Sequence, residues 1–395
     1  MTWERSTRLL AVLALFAGCG FLLLNPLRLA FVADTLVPFL YLNLLVMMCC
    51  GALFFLNVRK AHVRPVELLL CLLVVATALM TDYEGRHIVD VLTDFLRPLL
   101  FIAVIVIFRN FVKLEHFSGS PAIRKWLRIS MWVTLIVVPA SWMVSLFIQP
   151  LYPAFSSMDS IFGMGWLLAT GNIFAQALYF LVLVASGKRG VYLAAFIVIL
   201  LCYRNKKLSI ASWLGLFFAL LLAMLFLVIY IDEVQLIFLK GGSYNAHEGM
   251  SGVINILSGG RIEELQGAIA AMHSPLQLFF GAGLGFAYEA KGFEDASGLH
   301  RNLHFTPASL AIYYGIPFAL TFFYYLSTFF VAALRVTRDS KDKVVFCYAV
   351  YCMASMFFLF TEFSVFAYVN FAISCGVVSA AANAQHNVVA HDTIR

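Results

Sequence analysis

The chain has 395 residues, of which 62% are hydrophobic and 12% charged, and its mean hydropathy is +0.91; soluble domains carry about 25% charged residues. This composition excludes a soluble globular enzyme, and no nucleic-acid partner is expected in spite of the formal net charge of +6. The apolar runs are continuous rather than alternating, which selects helices over a closed barrel, so the expected fold is an all-α polytopic membrane protein.

Apolar runs fall at about 8–24, 35–57, 66–81, 89–108, 128–149, 159–186, 190–203, 208–231, 306–334, 344–361 and 364–383. The first has basic flanks, Arg5 and Arg8, but no clear small-residue cleavage signal before Asn25, so it is expected to be a retained span. The eight cysteines lie inside or at the edges of apolar runs and read as small core residues rather than disulfide partners or metal ligands. Clustered Lys and Arg in the connections 57–65, 109–128, 203–207 and 335–343 place those connections in the cytoplasm, and both termini follow.

An even number of crossings must then separate 109–128 from 203–207, yet three apolar runs stand between them. Gly171 and Asn172 interrupt the longest of these, and splitting it there into a descending and a returning piece restores the parity. A full turn and a re-entrant dip both satisfy this count. About 12 transmembrane helices result, divided into an N-terminal bundle (1–231), one long external loop (232–305) and C-terminal helices with a cytoplasmic tail (306–395). The loop holds four basic and eight acidic residues, a net charge of −4. Apolar patches within it predict order, including a helix from about Arg261 to His273 and a piece along the membrane surface.

Several polar residues on the external side could carry chemistry, and each has a plainer reading. Lys188 and Arg189 sit between two apolar runs; a cation at a helix centre costs roughly 2.5–3.5 kcal/mol, so such cations have an anionic partner or a function, and snorkelling at the boundary is the plainer reading. Arg261 opens the predicted loop helix, where free N–H groups and a guanidinium suit a phosphate; pairing with Glu263 or Glu264 is the alternative. The GAGLG stretch, 281–285, lacks the preceding strand and following Lys-Ser/Thr of a phosphate loop and reads as a tight turn. His304, where the loop re-enters the membrane, could accept a proton from an alcohol or merely cap the interface, and His300 and Arg301 compete for the same roles. Asp90, Asp94 and Arg97 share a helical face, either paired with one another or with Arg97 lining an outward cavity. No cluster has metal-ligand spacing.

The order of these features resembles the bacterial O-antigen polymerase and O-antigen ligase superfamily. The resemblance rests on Ser186-Gly187-Lys188-Arg189-Gly190 opening a helix, Gly260-Arg261, the glycines of 281–285, and His304 followed by Gly315-Ile316. One departure is Phe305, where the family usually has Asn; the distance to Gly315 still favours His304 over His300. The resemblance implies a GT-C-like, metal-independent and cofactor-free glycosyltransferase in the bacterial inner membrane with its active site facing the periplasm. It also implies an undecaprenyl-diphosphate-linked oligosaccharide as donor and a sugar hydroxyl as acceptor. On that basis Arg189 and Arg261 hold the diphosphate with Lys188 and Arg301 assisting, and His304 is the general base. A loop of net charge −4 is a poorer partner for phosphorylated lipid A-core than for a lipid-linked repeat, which favours polymerase over ligase. Membrane lipid is a further partner, and a regulator of chain length is one that the residues leave open. A non-enzymatic polysaccharide flippase is the other reading, though the chain lacks the repeated halves common in transporters.

Overall fold

The computed structural model describes residues 3–30, 37–147, 158–186, 189–203, 261–272, 274–289, 299–300, 303, 305–360 and 365–392. They form a helical bundle: α1 (Trp3–Ala30), α2 (Val37–Asn57), α3 (Pro65–Met80), α4 (Ile88–Phe111), the short α5 (Leu114–Ser118) and α6 (Pro121–Phe147). After a 3₁₀ turn at Met158–Ser160 come α7 (Ile161–Thr170), α8 (Ile173–Ala185) and α9 (Arg189–Tyr203). Beyond the stretch 204–260, which includes the predicted run 208–231 and lies outside the described residues, α10 (Arg261–Ala270) and α11 (Pro275–Phe280) precede a two-residue antiparallel ladder. Its strands are β1 (Tyr288–Glu289) and β2 (Leu299–His300), and α12 (Thr306–Tyr314), α13 (Ile316–Asp339), α14 (Lys343–Phe358) and α15 (Val369–Asp392) complete the chain.

Among the described residues three helices are long and apolar enough to cross a membrane: Trp3–Leu24, Ile88–Phe111 and Ile316–Asp339. Helix α3 shows why the bundle belongs in lipid. It buries Glu67, Leu70, Val74 and Thr77 at helical spacing, yet its other face exposes Leu68, Leu69, Leu72, Val75 and Leu79. A helix that is apolar on both its packed and its open face needs an apolar solvent. Lipid offers no hydrophobic drive for one helix to seek another, so close packing must supply the contact energy. At Gly376 of α15, for example, an added Cβ would stand 2.5 Å from the Phe108 side chain and 2.9 Å from the Ile105 carbonyl of α4.

The expected break after Thr170 is present. Gly171 ends α7 with φ +74°, and the Asn172 side chain caps α8 by accepting from the Ala175 N–H at 3.1 Å. The two pieces run antiparallel, since Gln176 donates to the Leu167 carbonyl and Tyr179 to the Ser160 carbonyl. At 10 and 13 residues each is shorter than the roughly 20 that a crossing needs. The predicted single run 306–334 is instead two helices broken at Gly315. The predicted loop helix begins at Arg261 and ends at Ala270, a turn earlier than expected.

Pairings between helices define two ends. Helix α14 runs against α7, with Phe162 stacked on Tyr351 at 4.0 Å and Gly165 beside Cys347. Helix α9 runs against α8, with the Tyr203 hydroxyl on Gln176 and Phe196 beside Phe180. The start of α9 therefore lies at the same end as the last turn of α14. There the Leu359 carbonyl accepts from the Thr306 N–H at the head of α12, at 3.1 Å. The other end gathers the starts of α3 and α14 with the close of α4 and α13, and with them the clustered Lys and Arg.

That cation-rich end is locked by a buried ion pair. Glu67 receives both terminal nitrogens of Arg109, the Tyr325 hydroxyl at 2.6 Å and the Arg64 backbone N–H at 2.8 Å, while Arg109 also donates to the His62 carbonyl at 2.6 Å. Both charged side chains are almost fully buried. Midway along the bundle, Asp159 accepts from Tyr351 at 3.0 Å and from Asn370 at 2.9 Å, tying the turn before α7 to α14 and α15.

Candidate functional site

At the opposite end the 281–285 turn is docked between the α3–α4 connection and α12. Helix α12 stops inside the protein at Gly315, which strands its last four carbonyls. All four find donors. Ala311 accepts from Gly315 N, Ile312 from Ala282 N at 2.6 Å, Tyr313 from Gly283 N at 3.3 Å and Tyr314 from the Thr77 hydroxyl at 3.3 Å. The next two N–H groups of the turn go to the other neighbour, Leu284 to the Thr81 hydroxyl at 3.1 Å and Gly285 to the Asp94 carboxylate at 2.8 Å. Broken helices survive at membrane depth only when their backbone is satisfied in this way.

The N–H groups of the glycine turn from 282 to 285 are all committed to protein acceptors, so the turn is a fastener and not a phosphate cradle. The glycines are needed for space and conformation. Gly281 and Gly315 adopt φ +91° and +89° with extended ψ, a region open essentially to glycine, and their backbones touch. A Cβ on Gly281 would stand 2.5 Å from the Tyr313 oxygen, and one on Gly315 would stand 2.5 Å from the Phe279 oxygen.

Arg86, in the α3–α4 connection, clamps the turn from outside. Its two terminal nitrogens donate to the carbonyls of Leu284 at 2.6 Å and Ala282 at 2.8 Å. Partial burial pulls the guanidinium below its ordinary pKa, and the nearby Asp82, Tyr313, Tyr83 and Asp94 oppose that shift. Two tyrosines complete the clamp, Tyr313 donating to the Phe286 carbonyl at 3.0 Å and Tyr314 to the Asp94 carbonyl at 2.7 Å. Tyr288, buried just beyond, has its phenol raised by burial first and by Glu264 second.

The expected site residues distribute as follows. His304, Arg301 and Lys188 lie outside the described residues. Arg189, Arg261 and His300 have described backbones, while their side chains lie outside what is described. Arg189 begins α9 at the glycine-turn end of the bundle. Arg261 begins α10, which packs on β1 and α12, and His300 pairs with Tyr288 across the ladder, three residues beyond the turn. The helix opened by Arg261, the ladder carrying His300 and α12 thus pack together at the end of the bundle where the tail of α12 meets the turn. Arg97, half-buried, lies one helical turn beyond Asp94 on α4 at this same end.

Three contributors escape a reading of the sequence alone: Arg86, Thr81 and the use of Asp94. Asp94 belongs to the expected Asp90/Asp94/Arg97 face, but its carboxylate reaches 191 residues along the chain to Gly285. A signal for Arg86 does exist, since it is one of few cations on connections outside the basic clusters. No protein-family model matches the chain, and a search of curated proteins finds no similar sequence.

Proposed function

We propose that the protein is a multi-pass glycosyltransferase of the bacterial inner membrane, with about twelve crossings, a GT-C-like architecture and its glycine-turn end facing the periplasm. It polymerises O-antigen by moving a glycan from undecaprenyl diphosphate to a sugar hydroxyl of another lipid-linked repeat. The observation that carries this reading is that the helix opened by Arg261 packs on α12 and on the strand paired with His300, while the tail of α12 is fastened to the glycine turn and the Arg189 helix start lies at the same end of the bundle. The clustered Lys and Arg at the other end support that orientation.

His304 takes the proton of the acceptor hydroxyl, whose oxygen attacks the anomeric carbon as the bond to the diphosphate breaks, inverting the centre. Such base assistance is worth about 10²–10⁴-fold. Negative charge builds on the departing diphosphate, and the arginine forks of Arg189 and Arg261, helped by Lys188 and Arg301, receive it through bidentate contacts. The turn's role in this scheme is to hold these segments in register, because its own N–H groups are spent on protein.

The decisive experiment replaces Arg261 with Ala and, separately, His304 with Ala in the producing strain and resolves the lipopolysaccharide by size. Loss of long glycan with core plus a single repeat retained is the expected result. Unchanged ladders remove the enzyme, and bare core with polymer accumulating on the lipid carrier identifies the ligase instead.

A further inference from the structure

We infer that the groove at the start of α6 binds the headgroup of an anionic phospholipid. The groove is a cavity of about 320 Å³ that Gly119, Arg124, Lys125, Arg128, Ile129 and Trp132 help to line. Among the described residues no carboxylate contributes to its wall and none of the three cations is in an ion pair. Two of them are held in place by uncharged contacts. Arg124 donates its Nε to the Ser118 carbonyl at 2.8 Å, and the Arg128 guanidinium lies 5.1 Å from the Trp166 ring centre. Three cations brought together without a counter-charge call for an anion from outside, and a phosphodiester matches the arginine forks.

The side chains that follow on α6 favour a lipid over a soluble anion. Arg124, Arg128, Trp132 and Ile136 succeed one another at four-residue intervals on a broad open face, with Trp132 58% and Ile136 63% exposed. Charge in the first two turns therefore gives way to an amphipathic indole and then to a bare aliphatic side chain. That is the sequence of environments from phosphate to acyl chain, and tryptophan is the residue that marks this boundary. The groove also lies at the cation-rich end of the bundle, close to α5 and the end of α4.

The test uses the full-length protein purified in a mild detergent and exposed to mixed micelles holding equal amounts of phosphatidylglycerol and phosphatidylcholine, with retained lipid counted by native mass spectrometry. Phosphatidylglycerol should be retained in preference, and Arg124→Gln, Lys125→Gln and Arg128→Gln together should abolish the preference. Arg124 and Arg128 also support their surroundings, so Lys125→Glu alone, at an exposed side chain with no described partner, serves as the second variant. It should lower phosphatidylglycerol retention about fivefold or more at an unchanged melting temperature. Equal retention of the two lipids, or undiminished preference in Lys125→Glu, overturns the proposal. So does displacement of the lipid by millimolar inorganic phosphate, which would make the groove a site for soluble anions.

Discussion

The two ends of the α3–α4 pair are fastened by opposite means. At the cation-rich end a carboxylate and a guanidinium are buried together, and each hydrogen bond of the Glu67 cluster involves a charged group. At the glycine-turn end every tie has a backbone N–H or carbonyl on at least one side, met by another backbone group or by a hydroxyl, with one arginine aimed at carbonyls and one aspartate aimed at an N–H. The Glu67 cluster consumes its charge internally and has none left to offer a ligand. The glycine-turn end is held largely by neutral groups, so a fold can be kept there without spending the cations that the proposed chemistry requires.

The sharpest way to break this contrast is at Glu67. Replacing it with Ala leaves Arg109 buried without its counter-charge, and removal of one member of a buried pair costs about 3–5 kcal/mol. Thermal unfolding in detergent should show a large drop, much of which is recovered when Arg109→Leu is added to Glu67→Leu. A Glu67→Ala protein that melts like the native one would show that this end is fastened by something else.

At the other end the corresponding change is Gly315→Ala. A non-glycine residue in that backbone region costs about 1–3 kcal/mol, and here the new methyl also meets the Phe279 carbonyl. The expected outcome is a smaller fall in melting temperature than for Glu67→Ala but a greater gain in proteolysis between 270 and 300, because the damage is confined to the fastener. Uniform loss of stability with no local cleavage would mean that the turn and the bundle unfold as one.

Arg86→Ala should be milder still. It removes two charge-assisted hydrogen bonds at a half-exposed site, a loss at the low end of the range for such bonds, about 1.5 kcal/mol. Arg86→Lys should recover little, because an ammonium is a point charge and cannot span two carbonyls. The readout that separates positioning from stability is glycan length at permissive temperature: shortened chains in a folded Arg86→Ala protein support a role in holding the site.

How much of this was legible beforehand depends on the range of the interaction. The helices were, since their apolar runs are local, and so was the break at Gly171-Asn172, where a left-handed C-cap and a side-chain N-cap are written in adjacent residues. The break at Gly315 lies inside an apolar run where only Gly315 and Pro317 mark it locally; its close contact with Gly281, 34 positions earlier, is what no local pattern shows. Arg109 reads only as part of the basic connection 109–128 and nothing local marks Glu67 as its partner; the packing of α3 on α4 makes them a buried pair. The glycine turn is legible as a turn, but its partners Arg86, Thr81 and Asp94 come from another part of the chain that no local pattern connects to it.

The smallest effect is expected where charge meets water, and it tests whether burial rather than charge makes the Glu67 cluster strong. Glu4 on α1 contacts Lys113 and, at 2.9 Å, His116, all at the surface of the same cation-rich end. Both contacts depend on the Glu4 carboxylate being charged, so what they contribute at neutral pH is lost once it is protonated. Glu4→Gln should therefore melt slightly below the native protein at neutral pH and coincide with it once both are strongly acidified. Salt at 1 M, with a screening length of about 3 Å, should also erase the difference. If Glu4→Gln instead costs as much as Glu67→Ala, or if its deficit grows on acidification, exposure is not what separates the two carboxylates, and the contrast between buried lock and solvated contact fails.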